Sequence, residues 1–334
     1  MTIRAAINGF GRIGRNVVRA FYESAGEHDI EFVAVNDLAP AASSASLLKH
    51  DTTHGLFSRE VSHDEDHLYI DGKPIRYTSI RNPEELPWKE LEVDLVLECT
   101  GVFANREGAS RHLAAGASKV LVSAPCKDAD KTIVFGANDS ELTGDEVIVS
   151  NASCTTNCIS PAVKALHKAI GIESGFITTI HSVTGNQVLV DTAHKDLRRA
   201  RSGMENMIPT KTGAAIAVGL VVPELAGRLD GHAVRVPTLN VSMVDLSLVM
   251  ERETTAEEVS RVLKKAAEGE LKGILEFCGE PFVSSDFNHN PHSSIYDSLL
   301  TKTFGRHVKM ALWYDNEWGF SNRMLDTAQA MFRK

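Results

Sequence analysis

The sequence predicts an α/β protein whose first part is a parallel sheet with helices on both faces and whose second part is richer in strands. Three observations carry that expectation. Apolar runs of strand length alternate with helical-period stretches up to about residue 150, the rhythm of repeated βαβ units. A glycine pattern at residues 9–14 sits where the first strand gives way to the first helix. Beyond Cys154 the alternation ends and β-type segments dominate. At 334 residues the chain is long for one core, so two domains are expected, with the boundary near the thiol.

Ile3-Arg4-Ala5-Ala6-Ile7-Asn8 reads as a short strand, and Gly9-Phe10-Gly11-Arg12-Ile13-Gly14 opens a helix that runs from Arg15 to Glu23. This is the G-x-G-x-x-G pattern in the strand-to-helix context of a dinucleotide-binding Rossmann unit. Gly9 permits the tight turn, Gly11 lets a pyrophosphate approach the backbone, and Gly14 allows close helix–strand packing. The phosphates would sit on the helix N-terminus. The next strand, Glu31 to Val35, ends in Asn36-Asp37, about 20 residues past the glycines, where a carboxylate meets the adenosine ribose. Its charge would repel a 2′-phosphate, which favours NAD over NADP.

Leu95-Val96-Leu97-Glu98, a helix around Arg106 to Ala114, and Val120-Leu121-Val122-Ser123 continue the alternation. The excursion from Phe57 to Thr78 is different: Leu68-Tyr69-Ile70 and Pro74-Ile75-Arg76-Tyr77 flank Asp71-Gly72, a hairpin signal. Val147 to Ser150 is the strand that precedes Ser153-Cys154-Thr155-Thr156-Asn157-Cys158. Apolar residues at 158, 159, 162, 163, 166 and 169 follow at helical spacing, so Cys154 falls near a helix N-terminus, a location that favours a thiolate. His181 closes the apolar run Phe176 to Ile180 and is a candidate base for the thiol. Cys154 could instead be a small buried hydrophobe. With Cys158 it could form half of a metal site, but no second Cys or His cluster at ligand spacing accompanies the pair, and no metal is expected.

A polar stretch without periodicity runs from His181 to about Pro209, a length usual for functional or disordered loops. Strand-like Val241 to Val249 and a helix near Thr255 follow, with Thr255 and Glu258 spaced as a capping box. Asn322 to Arg333 is helical, with Met324, Leu325, Ala328 and Met331 on one side, and is expected to pack against the N-terminal domain.

The 43% apolar and 24% charged content is that of a soluble globular protein, and no apolar run is long enough to span a bilayer. A strand begins by residue 3, leaving no room for a signal peptide. Five cysteines at irregular spacing do not form a disulfide framework and fit a reducing cytoplasm. The net charge of −9 argues against nucleic acid as the primary partner. The local cluster His194-Lys195-Asp196-Leu197-Arg198-Arg199-Ala200-Arg201 is either a solvated face or an anion site.

Five blocks, taken together, resemble the phosphorylating glyceraldehyde-3-phosphate dehydrogenases of bacteria over essentially the whole chain. They are Ala6 to Arg15, Ser150 to Cys158, His194 to Arg201, Arg235-Val236-Pro237-Thr238, and Tyr314-Asp315-Asn316-Glu317-Trp318-Gly319. The resemblance implies an NAD-binding domain over 1–153 completed by a C-terminal helix at 317–334. It also implies an α+β catalytic domain over 154–316 with a mostly antiparallel sheet, and a homotetramer in which the loop after His181 lines a neighbour's cofactor site. It implies that NAD is held by residues 9–14, Phe10, Arg12 and Ile13 included, with Asp37, Arg81, Thr100, Ser123 and Asn316, the last on the nicotinamide carboxamide. Thr184 and Arg235 would take the phosphate of the aldehyde substrate. Ser153, Thr155, Arg199, Thr212 and Gly213 would take inorganic phosphate. The chemistry agrees: a thiolate can hold an aldehyde covalently and leaves an activated thioester after oxidation, and paired arginine forks suit two anions. An imidazolium at His181 would help to keep Cys154 ionised.

The chain departs from the family pattern at Lys211, usually Ser or Thr, at Ile216, usually Lys, and at Asn186, often Asp. Phe320 stands for a common Tyr, and Thr192-Ala193 stands where NAD-preferring members often have Leu-Pro, which weakens the expected strictness for NAD. Erythrose-4-phosphate dehydrogenase shares the thiol, base and cofactor and is the nearest alternative, since Asp286 to Ser293 resembles a stretch seen there as well as in bacterial glyceraldehyde-3-phosphate enzymes. A non-catalytic RNA-binding or scaffolding protein on the same fold is the alternative of another class; the acidic balance and the intact Cys154/His181 pair speak against it.

Overall fold

The computed structural model describes residues 2–24 and 26–333. Among these the chain divides into two units: unit 1 spans Met1–Ile133, Asp139–Ser153 and Ser321–Lys334, and unit 2 spans Val134–Asn138 and Cys154–Phe320.

Unit 1 begins β1 (Ile3–Asn8), α1 (Arg12–Glu23), β2 (Ile30–Asn36) and α2 (Ala41–Lys49). A small hairpin, β3 (His50–Asp51) and β4 (Gly55–Leu56), precedes β5 (Val61–His63), β6 (His67–Ile70) and β7 (Lys73–Thr78). Then come β8 (Leu95–Glu98), α3 (Arg106–Ala114), β9 (Lys119–Val122), β10 (Lys131–Thr132) and β11 (Ile148–Ser150). Nine strands form one sheet in the order β10-β11-β9-β8-β1-β2-β7-β6-β5. It is parallel from β10 to β7, and β6 and β5 add antiparallel strands at one edge. The central strands are buried on both faces, which is why Ala5 to Ile7 and Leu95 to Leu97 read as unbroken apolar runs. The excursion after Phe57 extends the sheet: Asp71 and Gly72 both have positive φ, +49° and +74°, joining β6 to β7 by the two-residue turn that matches strand twist.

Unit 2 opens with α4 (Cys154–Ile170), β12 (Ile172–Ser182), β13 (Ile208–Lys211), α5 (Ala214–Val221) and β14 (Leu229–Val236). It continues with β15 (Ser242–Met250), α6 (Ala256–Glu268), β16 (Leu275–Cys278), β17 (Ser294–Phe304) and β18 (His307–Tyr314). The sheet order is β13-β14-β12-β15-β18-β17-β16. It is mixed: four junctions are antiparallel, while β12–β14 and β16–β17 are parallel. Thr255 caps α6 by accepting from the Glu258 N–H, but the reciprocal bond of a capping box is not made, because the Glu258 carboxylate turns to Arg252 and to the Thr254 hydroxyl.

Helix α7 (Trp318–Ala330) starts at the end of unit 2, and from Ser321 onward belongs to unit 1. There Met324, Leu325, Ala328 and Met331 are buried, the Thr327 hydroxyl donates to Asn151 Oδ1 at 2.8 Å, and Asp326 pairs with His28 at 2.9 Å.

Candidate active site

In unit 1 the strand order reverses beside β1, which pairs with β2 on one side and β8 on the other. Crevices at the carboxyl ends of strands on either side of such a reversal are where open α/β sheets bind ligands. A cavity of about 390 Å³ opens there, lined by Gly9, Gly11, Asp37, Arg81 and Thr100 among others. Gly9 has φ +92°, and a Cβ on it would lie 2.6 Å from the Thr100 nitrogen. A Cβ on Gly14 would lie 2.3 Å from the Gly9 carbonyl oxygen, so α1 packs on the turn at a distance only glycine allows. Gly11, in contrast, faces open space and begins α1 with no side-chain cap. An uncapped helix start that faces open space fits a dinucleotide pyrophosphate. Asp37 accepts from the Phe10 N–H at 2.6 Å and the Ala39 N–H at 2.9 Å, fixing the turn as well as facing the cavity.

Arg12 is tied to the buried carboxylate of Asp51, and Ile13 is half-buried in the first turn of α1. Ser123 follows β9, donates its N–H to the Glu98 carbonyl at 3.0 Å, and does not line the cavity.

In unit 2 Cys154 is the first residue of α4. Its sulfur lies 3.5 Å from His181 Nε2. His181 is the penultimate residue of β12 and stands in register with Arg235 on the parallel neighbour β14, so the sheet itself sets the two side chains side by side. Arg235 Nη1 lies 2.6 Å from His181 Nδ1 and donates to the Ser182 carbonyl at 2.9 Å. Nδ1 is also 2.8 Å from that carbonyl. Arg235 Nη1 and the Ser182 carbonyl thus compete for Nδ1, which accepts from the first in one tautomer and donates to the second in the other, with the Nε2 proton toward sulfur present only in the former.

The structure corrects the expected ionisation of this pair. Burial pushes the Cys154 thiol up, opposed by the Arg235 charge and by hydrogen bonds from Thr155. Burial, reinforced by Arg235, pushes His181 down to about 3, so an imidazolium is not the resting form. The helix start and the cation do stabilise the thiolate, but low polarity around sulfur outweighs them.

Of the residues expected around phosphate, Arg235 has a buried Nε with no hydrogen-bond partner among the described residues, a donor available to an anion. The Thr184 hydroxyl and N–H both donate to Gln187. Arg199 donates to Thr210 Oγ1 at 2.9 Å and to Asn186 Oδ1 at 2.7 Å. Thr212 and Gly213 lead into α5, Thr212 accepting from the Ala214 N–H, and the Gly213 backbone is open to approach. The Thr155 hydroxyl bonds to Tyr314, and Ser153 immediately precedes α4. Asn316 accepts at Oδ1 from the Ser182 and Ser242 hydroxyls, both at 2.8 Å, and its Nδ2 donates to none of the described residues. Among the described residues no group of three or more His, Cys, Asp or Glu is arranged to hold a metal, and no helix is long and apolar enough to cross a membrane.

Residues 3–106 match the model of the glyceraldehyde 3-phosphate dehydrogenase NAD binding domain, and residues 153–316 match that of the C-terminal domain. The chain is 61% identical over 332 residues to the chromosomal glyceraldehyde-3-phosphate dehydrogenase of Cupriavidus necator, covering 99% of each. It is 59% identical to the enzyme of that name from Cereibacter sphaeroides, covering 100% of this chain and 99% of the relative. To that of Pseudomonas aeruginosa it is 56% identical, covering 99% and 98%.

The chain belongs to the glyceraldehyde-3-phosphate dehydrogenase family. Its cofactor is NAD, and it is an oxidoreductase. Within this family fold, residues that the sequence did not single out stand behind the reactive ones. Tyr314 is buried, its hydroxyl bridging Thr155 and Thr179 at 2.9 Å each, with its ring edge-on to His181. Burial and the neighbouring sulfurs push that phenol well above its ordinary value, so it stays a neutral bridge. In the sequence Tyr314 opens the last of the five blocks and closes an apolar strand, but neither mark gives it a role.

Proposed function

We propose that the chain oxidises D-glyceraldehyde 3-phosphate with NAD and inorganic phosphate to 1,3-bisphosphoglycerate, through a hemithioacetal and a thioester on Cys154. The observation that carries this reading is the Cys154 Sγ to His181 Nε2 approach of 3.5 Å at the start of α4, with Arg235 against the other ring nitrogen.

Sulfur attacks the aldehyde carbon, forming the C–S bond, and the thiol proton ends on the former carbonyl oxygen. When bound, NAD supplies the hydride acceptor. His181 takes the hydroxyl proton as the C–H electron pair leaves, and the thioester C=O forms. Phosphate then attacks the thioester carbon, the C–S bond breaks, and the departing sulfur takes back the proton held on His181, which restores the thiol.

Arg235 has a second part in this reading. Substrate phosphate on its guanidinium draws it away from Nδ1, which then donates to the Ser182 carbonyl, and Nε2 becomes the acceptor that a base requires. Thr184 shares that phosphate. Ser153, Thr155, Arg199, Thr212 and Gly213 form the second anion site. On the cofactor, residues 9–14 hold the pyrophosphate, Asp37 the ribose, Arg81 and Thr100 the rest of the adenosine half, and Asn316 the carboxamide, with Ser123 meeting the cofactor outside the unit 1 cavity. A cytoplasmic homotetramer is part of the proposal. The exposed apolar residues Leu189, Val190, Leu197, Met204 and Met207 on the loop between β12 and β13 support it, because such a row favours cover by another subunit.

The test is NADH formation from glyceraldehyde 3-phosphate with and without phosphate, repeated with erythrose 4-phosphate. Phosphate-dependent turnover that prefers the triose is expected. Turnover independent of phosphate, or preference for the tetrose, overturns the reading.

A further inference from the structure

A carboxylate lies buried at the end of the central strand β8. Glu98 is 1% exposed, and His112 and Trp88 are fully buried. Glu98 Oε2 accepts from Asn8 Nδ2 at 2.6 Å and from His112 Nε2 at 3.0 Å. Oε1 accepts from the Thr100 N–H at 2.8 Å and from the Thr100 hydroxyl. Trp88 Nε1 donates to His112 Nδ1 at 3.0 Å. An indole N–H can only donate, so Nδ1 accepts and Nε2 carries the proton given to Glu98. Every bond in the chain from Trp88 to Thr100 therefore has one direction.

A carboxylate in a dry interior is tolerated only when donors saturate it, and these donors come from the end of β1, from α3 and from the turn after β8. Asn8 is the last residue before the glycine turn, and its Oδ1 accepts from Asn36 at the end of β2 at 2.8 Å. Thr100 lies in the turn after β8, pressed against the bare face of Gly9. Both Asn8 and Thr100 line the 390 Å³ cavity, whereas Glu98 does not.

We propose that Glu98, oriented by His112, is a positioning residue that fixes the spacing between the glycine turn and the Thr100 turn, and through it the affinity of unit 1 for the dinucleotide. The inference rests on the assignment of that cavity to NAD. Glu98→Gln keeps the shape but replaces one acceptor by an NH₂. Whichever way the amide turns, that group faces the N–H of Asn8 and His112 or that of Thr100.

Calorimetry with NAD and with ADP-ribose on the full chain tests the idea, with iodoacetamide labelling of Cys154 as a control in unit 2. Glu98→Gln is expected to raise both dissociation constants about tenfold, in line with buried donors left facing donors, and to leave the labelling rate unchanged. His112→Gln, which can return an N–H to the place of Nε2, is expected to stay within about twofold, while His112→Leu weakens both ligands as Glu98→Gln does. Unaltered affinity in Glu98→Gln overturns the inference. So does His112→Gln binding as poorly as His112→Leu, which would reduce the histidine to packing. Should Glu98→Gln not fold, the His112 pair decides alone. A wild type that binds neither NAD nor ADP-ribose would refute the cofactor assignment itself, an outcome distinct from an unresponsive variant.

Discussion

At the residue scale, burial drives a thiol and an imidazole in opposite directions, and the reaction uses the difference. With Cys154 raised and His181 lowered to about 3, the ring is unprotonated at neutral pH and the thiol largely protonated. The thiolate fraction grows as pH rises, so Cys154 alkylation should accelerate toward alkaline pH with no break from the ring. Cys154 should nevertheless react ahead of the other four, since it alone combines Arg235, an imidazole and a helix start. Cys99 is pushed up to about 12 by burial and by Glu98, and Cys158 lies higher still. Brief iodoacetamide labelling at several pH values, read by peptide mass spectrometry, checks this; equal labelling of all five cysteines would contradict it. His181→Asn should lower kcat by about 10² to 10⁴ while NAD affinity measured by calorimetry stays put. The identities of Cys154 and His181 were legible because a helix start and a strand end leave marks in the chain. Their protonation was not, because it depends on burial and on Arg235, 54 residues from His181 in sequence and brought beside it only by the β12–β14 register. Glu98 was hidden for the same reason: in the sequence it is one acid at the end of a strand.

At the element scale, the turn from β1 to α1 is held by contacts that a larger side chain or a missing carboxylate would break. Gly14→Ala puts a methyl 2.3 Å from the Gly9 carbonyl, and backbone cannot yield as a side-chain tip would. A loss of about 1–3 kcal/mol in stability is expected, together with weaker NAD binding, and thermal unfolding with and without NAD measures both. Asp37 does two jobs that two substitutions separate. Asp37→Asn keeps an acceptor for the Phe10 N–H but removes the charge, so the preference for NAD over NADP should narrow with NAD affinity nearly retained. Asp37→Ala should lose both, since the turn is also released. Equal discrimination by all three proteins would mean that the carboxylate does not face the ribose. Element types were readable here because period and turn residues agree, as at Asp71-Gly72. The parallel junctions of the second sheet were not, because pairing partners far apart in sequence leave no local pattern.

At the scale of the whole molecule, the proposed reaction has a chain of net charge −9 gather two phosphate groups at one thiol. Local positive charge has to overcome the general field. Arg199 already lies 3.8 Å from the Asp196 carboxylate, and another of its contacts is a neutral amide, Asn186, where the family often has a second carboxylate, so more of its charge remains for an anion than an acid at 186 would leave. Asn186→Asp should raise the phosphate KM severalfold with kcat little changed, the pattern of lost uniform binding. The exposed Lys211 should matter less, and Lys211→Ser should be felt mainly at low ionic strength. Initial rates at two salt concentrations read both variants; an unchanged KM in Asn186→Asp would place the anion away from Arg199. One further consequence follows from the nine-stranded sheet. Its outermost members, β10 and β5, are only two and three residues long, and β5 is flanked by Arg59, Glu60, Asp64, Glu65 and Asp66. A large sheet normally offers a neighbour a row of unsatisfied amides and carbonyls along each margin, the template on which fibrils grow. Here each margin is too short, and one is too heavily charged, to seed an added strand, so copies of this sheet are kept from joining edge to edge when the protein is concentrated.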